Sequence, residues 1–572
     1  MSRRDDVGRH AHDIGLQGGT SSRGRQALLI FKTGTGDQAQ QLDLSFAGRG
    51  SARAVSLVIS NVRASSWPIG ELLKRSCRSV KASVARHVTP RQIRLLLPIL
   101  VVPGWAAAVR AEPPTPQGEA RPPSALAQRK AFLDPRDFGA AGTGQVDDTA
   151  AMAATLAASR TTGRPIGGRG VFRIDGSLDN AGATFVAASS YTRNSPDPAT
   201  WGFVLEHNSA SLPLFEPTAC GSSLDGVILY DPRQTGGGER PVVRPPMFRF
   251  SVPCVDFTLR GAVVVNAYDL FDVPASGSIG DWRLIDNRIY AVRYVFDIAG
   301  SAPEVLITAN NVFSSGVFQG SAIYRNGGML AIWTGQNGAW MHIDADRRSV
   351  DGLKSSNDIV YGYRNWLRID SGRLDVSTVS SPSWDAVLQP IVMRGNAGIG
   401  LTVSGGYSYS YAKGAPLVSA TAFAIGGSGA RDLTFIGHQL LFASGMVMEV
   451  TGPGAGLVEW RGGDVQYWGQ ASPASRGITI DAPATSLVLK PARMRPGIAG
   501  SVCFTAADAR TIDIATTFSD CMRALDIGAA PALVGGMDTS LAVGTTGSSS
   551  YSNAAGRRFE ARGFYDKPSA AR

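Results

Sequence analysis

The chain has 572 residues, 67 of them glycine, only 18% charged, and a formal net charge of +10. The length allows two to four ordinary domains or one elongated repeat domain, and the glycine-rich, charge-poor composition favours a turn-rich β protein over a helical bundle. The positive charge belongs to residues 1–111, which hold 17 Lys and Arg against 6 Asp and Glu and leave the remainder at −1. The basic balance therefore does not point the folded part toward nucleic acid.

Residues 1–90 are Arg-, Gly- and Ser-rich without a clear period and are expected to be disordered or absent from the mature protein. In 91–111, Arg91 and Arg94 precede the apolar run Leu95 to Val102, and small residues follow up to Ala111. A basic n-region, an apolar h-region and a small-x-small site form the pattern of a secretory signal. Leu95 to Val109 is 15 residues with two prolines, too short for a membrane span. A signal belongs at an N-terminus, so a start near Val80 to Val88 is expected, with export as the consequence; a buried apolar segment is the alternative. Cys77 lies before the cleavage point. Cys220, Cys254, Cys503 and Cys521 lie after it, an even number that suits an oxidising compartment. Nearest-neighbour pairing would join Cys220 to Cys254 and Cys503 to Cys521, although spacing does not decide connectivity, and free buried thiols are the other reading. No Cys or His spacing suggests zinc.

After a linker at 112–131, the stretch Asp137 to Ala158 is distinctive. A turn, Asp137-Phe138-Gly139-Ala140-Ala141-Gly142, leads to Asp147-Asp148-Thr149 and an Ala-rich run to about Arg160. Asp or Thr directly before such a run can accept bonds from the free N–H groups of a helix's first turn. Gly163-Arg164-Pro165 ends the helix, and Gly170 to Ile174 alternates as a strand. This order resembles the N-terminal part of the right-handed parallel β-helix proteins of the pectate lyase superfamily, which includes rhamnogalacturonase-like and phage tailspike-like chains. The resemblance spans about forty residues. It implies an all-β right-handed parallel β-helix with a helix covering its first coil, and it leaves the reaction open.

From Leu224 to Lys490 short β-rich runs alternate with Gly, Asn, Asp and Ser turns, with no long amphipathic helix between them. Asn266, Asn287, Asn311 and Asn337 follow similar apolar runs at intervals of 21, 24 and 26 residues. A period in this range indicates a solenoid, and stacked Asn amides could form a ladder along one turn; frequent Asn in turns is the plainer reading. The solenoid is expected over 132–521, with 522–572 a mobile Gly-, Ala- and Ser-rich tail.

The chain has no Gly-x-Ser-x-Gly elbow, HExxH or phosphate loop. Period-two alternation over Trp340 to Arg348 puts Met341, Ile343 and Ala345 inward and Trp340, His342, Asp344, Asp346 and Arg348 outward. About 26 residues on, Trp366, Arg368 and Asp370 repeat the pattern, which one coil of offset would set beside Trp340, His342 and Asp344. Such a patch suits an acidic or neutral polysaccharide: Trp340 and Trp366 as sugar-stacking indoles with Arg348 as a binding cation, and Asp344, Asp346, Asp370, His342 and Arg368 as the reacting set. Two carboxylates could serve hydrolysis. Alternatively, carboxylates could hold Ca²⁺ while an Arg or His removes a proton next to a uronate carboxylate, as a lyase requires. A solvated strand face is the plain alternative.

Tyr407, Tyr409 and Tyr411 share one face, either as a sugar platform or as an aromatic stack, and Glu459, Asp464, Tyr467 and Trp468 form a second polar-aromatic cluster. The polygalacturonase-like members of the superfamily show Asn-Thr-Asp, Asp-Asp, Gly-His-Gly and Arg-Ile-Lys motifs. Here Asp147-Asp148 belongs to the leading helix, Gly437-His438-Gln439 departs from the third motif, and the other two are absent. The chain is therefore not expected to be a standard polygalacturonase. The reading is an exported protein that binds, and as a hydrolase or lyase cleaves, an extracellular polysaccharide. The competing reading is a non-catalytic, adhesin-like β-helix.

Overall fold

The structure is a computed structural model. It describes three strands in the N-terminal part, residues 131–527 apart from short segments (189–196, 235–239, 303–304, 316–321, 396–399, 413–417, 472–475 and 499), and four short strands between Leu533 and Arg562. The chain divides into two compact units, Met1–Glu119 and Ala120–Arg572.

In the first unit Ile14–Ser21, Gly24–Lys32 and Ala39–Ser45 pair as an antiparallel meander. These strands lie within 1–90, the stretch expected to be disordered or absent from the mature protein, and Ala27 to Phe31 is an unbroken apolar run suited to a central strand. The signal-like segment 91–111, and the linker up to 130, lie outside the described residues.

The second unit is a right-handed parallel β-helix, the expected fold class. Each coil supplies strands to three walls. Thr258–Arg260, Trp282–Ile285, Leu306–Ala309 and Leu353–Ser356 belong to the first wall, paired in parallel as Leu259↔Leu284↔Thr308↔Ser355. Residues 263–265, 288–289, Val312–Ser314 and Ile359–Tyr361 belong to the second. Residues 271–273, 294–298, 339–343 and 365–369 belong to the third. In the third wall Phe271, Phe296, Met341, Leu367, Ile391, Phe423, Met448, Ile478, Phe504 and Leu525 stand in one inward column, one from each coil and all buried. No coil can bury its own inward side chains, so the core exists only by stacking.

The corner between the first and second walls places one residue per coil in the left-handed region. Gly226, Gly261, Gly405, Gly437 and Gly462 serve there, and Asp286, Asn310 and Asn357 replace them in the middle coils. Glycine, Asn and Asp are the residues that tolerate this conformation. The residue after it points inward and forms the polar ladder. Asn287 Nδ2 donates to Leu259 O at 2.8 Å and to Asn311 Oδ1 at 2.9 Å, and Asn311 Nδ2 donates to Asp358 Oδ1 at 2.9 Å. The expected Asn ladder is therefore real at Asn287 and Asn311 but continues through Asp358. Asn337 instead ends a helix, donating to Trp333 O, and Asn266 sits at a register shift with a positive φ.

Helix α1, Thr149–Thr162, takes the third wall's place in the first coil and packs Met152 and Leu156 onto the solenoid core. Its cap differs in detail from the simple expectation. Asp147 Oδ1 accepts the Thr149 N–H at 2.9 Å, while Asp148 reaches back to accept Ala141 N–H at 2.6 Å and Gly142 N–H at 3.2 Å. The two adjacent carboxylates thus tie the preceding turn to the helix start. A second helix, α2, Ala322–Asn337, leaves the second wall after Ser314 and returns to the third. It corrects the expectation of an uninterrupted solenoid; Gly327-Gly328 in its middle lowers its helical signal in the sequence.

Disulfides join Cys220 to Cys254 and Cys503 to Cys521, with Cα separations of 4.9 and 5.8 Å. The ladder does not stop at Cys521. Arg523–Ile527, Leu533–Asp538, Ser540–Ala542, Tyr551–Asn553 and Ala561–Arg562, all within the expected tail 522–572, pair in parallel with preceding coils. Among the described residues, no helix is long and apolar enough to cross a membrane.

Candidate functional site on the third wall

The third wall turns alternate side chains outward. Register places Arg249 beside Asp272, Asp272 beside Asp297, Asp297 beside His342, and His342 beside Arg368, one residue per coil. These five form a polar column about 4.8 Å per step on the outer face. Arg249 Nε donates to Asp272 Oδ2 at 2.9 Å. His342 lies with Nδ1 2.8 Å from Asp297 Oδ1 and Nε2 3.3 Å from Asp370 Oδ2, and its ring stacks on Tyr294 at 4.7 Å. Arg368 pairs with Asp370. At the wall's edge Arg293 donates from Nε to Asp269 Oδ1 at 2.8 Å, reaches Asp297 at 3.3 Å, and lies over the rings of Tyr268 and Tyr294.

The environment separates these acids. Burial pushes the Asp269 carboxyl up to about 6, a rise that Arg293 opposes only in part. Burial also raises Asp272, against the opposing pull of Arg249 and with the help of the Asp297 charge. Asp370 moves the other way: burial opposes its charge, but Arg368 and His342 outweigh it and hold the carboxyl below the ordinary range. Carboxyls raised above and held below the ordinary range are thus neighbours on this wall, the kind of separation from which acid and base roles are drawn.

Several expected residues are here and others are not. His342, Arg368 and Asp370 form the C-terminal half of the network. The expected pairing of Asp370 with Asp344 is corrected, because the register slips by one residue and sets Asp344 opposite Ser371. Asp344 Oδ1 accepts the Ser371 hydroxyl at 2.6 Å, and the same oxygen of Ser371 accepts the Asp346 N–H at 2.8 Å. Asp344 still favours the charge of Arg368, so it stands at the rim of the same patch. Arg348 is exposed and donates to Ala275 O, away from the network. Trp340 and Trp366 are not outward at all. Both are buried, at 0% and 1% exposure, because the chain turns the corner from the second to the third wall at these positions and breaks the period-two alternation. They cannot stack on a sugar.

Asp269, Asp272, Asp297, Arg249 and Arg293 were not foreseen. A signal for them exists: Phe271-Asp272-Val273 and Phe296-Asp297-Ile298 repeat 25 residues apart, one coil, so two carboxylates fall in register. His438, in the position of the departed Gly-His-Gly motif, is buried between Gly405 O and Ser408 Oγ, and burial pushes it down to about 4, a structural role at the corner turn. In the second expected cluster Trp468 is buried, Glu459 pairs with Arg461 and Asp464 with Arg493.

For Ca²⁺ the donor set does not fit. Asp269, Asp272, Asp297 and Asp370 are each engaged by an Arg or His, and among the described residues no three His, Cys, Asp or Glu side chains gather to hold a metal.

No protein-family model matches the chain, and no curated protein matches it. Among solved structures it is similar to the catalytic unit of a thermostable GH87 alpha-1,3-glucanase from Streptomyces thermodiastaticus strain HF3-3, at 13% identity over 71% of this chain and 69% of that one, with a TM-score of 0.35. It is also similar to a mutant tailspike protein of E. coli bacteriophage HK620 in complex with a hexasaccharide, at 11% identity over 73% and 77%, with a TM-score of 0.42. Likeness of this degree carries no substrate or mechanism across, and the parallel ladder itself establishes the fold.

Proposed function

We propose that this chain is an exported carbohydrate-active β-helix protein that binds an extracellular polysaccharide along its third wall and hydrolyses it. The observation that carries the reading is the Asp272–Asp297 pair. These carboxylates occupy adjacent coils in register on the outer face, with their strands about 5 Å apart, and hydrolysis of a glycosidic bond uses two neighbouring carboxyl groups. Asp272, whose carboxyl burial keeps protonated to higher pH, gives its proton to the glycosidic oxygen as the C–O bond breaks. Asp297 attacks the anomeric carbon and forms the glycosyl ester. Water then cleaves that ester, losing its proton to Asp272. Arg293 and His342 hold Asp297 in place. The helix-capped start and the solenoid together support kinship with the pectate lyase superfamily, and the two disulfides support export.

The test is incubation with neutral and uronate-containing polysaccharides, with and without added Ca²⁺. New reducing ends that disappear in Asp272→Asn and Asp297→Asn, with folding unchanged, support hydrolysis. Reducing ends accompanied by ultraviolet absorbance of an unsaturated uronate would replace it with a lyase reaction. A second reading has its own observation: the carboxylates of the network are paired with Arg or His, as in a static recognition surface. Binding without cleavage, in wild type and both variants, would establish that non-catalytic role. N-terminal sequencing of the natural product tests export; a mature chain starting at Met1 in the cytosol overturns it.

A further inference from the structure

Arg293 owes its direction to a bulge. Ala267 pairs with Ala291 and Asp269 with Tyr294, so Val292 and Arg293 together face Tyr268 alone on the preceding coil. A bulge breaks the two-residue alternation and re-aims a side chain. Here it lays the guanidinium against the rings of Tyr268 and Tyr294, at 4.8 and 4.6 Å. Helix α2 braces the bulge from outside. The Thr334 hydroxyl donates to Val292 O at 2.7 Å, and a Cβ at Gly338 would strike the carbonyls of Val292 and Arg293. Asp269 is buried and takes the guanidinium in two-point contact: Nε donates to Oδ1 at 2.8 Å and Nη2 to Oδ2, while the Tyr294 N–H donates to Oδ1 at 3.1 Å. Asp297 receives a single long contact, Nη2 to Oδ2 at 3.3 Å, and His342 Nδ1 lies 2.8 Å from its other oxygen.

We propose that Asp269 is a positioning residue of the third-wall site: it holds Arg293 back from Asp297, so that the guanidinium steadies the nucleophile without covering it. This rests on the hydrolytic reading above and concerns how its attacking carboxylate is kept open. The Nε–Nη2 edge is the fork with which an arginine takes both oxygens of a carboxylate. Turned onto Asp297, that fork would occupy the lone pairs that must reach the anomeric carbon. Committed to Asp269, it leaves Asp297 one N–H and an open side. Exposure divides the roles in the same way: the Asp297 side chain is 24% exposed and the Asp269 side chain 4%, so Asp297 can meet a sugar and Asp269 cannot. The bulge and its contact with α2 fix the strand from which Arg293 reaches both acids.

The experiment measures kcat and KM per folded molecule of the full chain, on the polysaccharide from which wild type releases reducing ends. Asp269→Asn should lower kcat by about a hundredfold, the scale of a misplaced reacting group, with KM within about twofold of wild type. Adding Arg293→Gln to Asp269→Asn should return kcat to the level of Arg293→Gln alone, because the fork that covers Asp297 is then gone. Thr334→Val keeps every charge and loses the bond to Val292 O; it should lower kcat in the same sense, and it decides the matter if Asp269→Asn does not fold. A crystal structure of Asp269→Asn should show the guanidinium forked on Asp297. Unchanged kcat in Asp269→Asn and Thr334→Val overturns the proposal alone, as does a change confined to KM. A double variant that stays as slow as Asp269→Asn, or a guanidinium that stays at position 269, also overturns it. A wild type that cleaves no polysaccharide overturns the hydrolytic reading, and this role with it.

Discussion

The indoles of Trp340 and Trp366 lie 5.4 Å apart and 9° from parallel inside the solenoid, and Trp384 continues the stack at 4.8 Å from Trp366. Three successive coils are thus joined through their largest side chains rather than through anything a ligand could touch.

Trp366→Ala should remove the middle of that stack and lower stability by about 3–5 kcal/mol, the usual loss on truncating a buried large aromatic. The urea midpoint measures it. Trp366→Phe should lose clearly less. If Trp366 were a sugar contact, Trp366→Ala would weaken glycan binding with the midpoint unmoved.

Asp358 makes the corner ladder sensitive to pH. Its buried carboxyl accepts from Asn311 N, Asn311 Nδ2, Thr308 Oγ1 and Ser355 Oγ, yet burial outweighs these bonds and raises it above the ordinary range. A carboxyl raised in the folded state contributes stability that is fully present below its unfolded value and is lost as pH rises through the folded value. Asp358→Asn continues the ladder without a charge. Relative to wild type it should gain melting temperature at pH 7 and lose that advantage toward pH 4. A difference that does not vary with pH would contradict this.

The same sign holds at Asp269, raised to about 6 by burial. Arg293→Met leaves that buried carboxyl without its partner and should cost about 3–5 kcal/mol at pH 7. Near pH 4 the acid is neutral in both proteins and the deficit should shrink. Denaturation midpoints at the two pH values decide; an equal deficit at both would show that Arg293 acts through its packing on Tyr268 and Tyr294 alone.

Asp148→Ala should free the N–H groups of Ala141 and Gly142 and cost about 1.5–3 kcal/mol, as for hydrogen bonds to a charged group. Amide hydrogen exchange at Ala141 and Gly142 should accelerate while exchange at Leu259 and Leu284 in the middle coils stays slow. Uniform acceleration would mean that the cap is needed by every coil.

Much of the architecture was legible because it is local or periodic. The Asp137–Ala158 motif, the Gly, Asn and Asp corners, and the alternation that buries Met341, Ile343 and Ala345 are each written in adjacent residues. The four cysteines left their connectivity open, and the fold joins Cys220 to Cys254 and Cys503 to Cys521. The site depended on what adjacent residues do not contain: the register between coils and the position of each corner. A corner at Trp340 and Trp366 turned two residues inward that alternation assigned outward, and a one-residue slip after Ile343 moved Asp370 from Asp344 toward His342. Helix α2 inserts 16 residues between one second-wall strand and the next third-wall strand, so the neighbour of Asp297 is His342, 45 residues away rather than one regular repeat. Period two determines faces along a strand, but which side chains meet across coils is decided by where the stacked core forces the chain to turn.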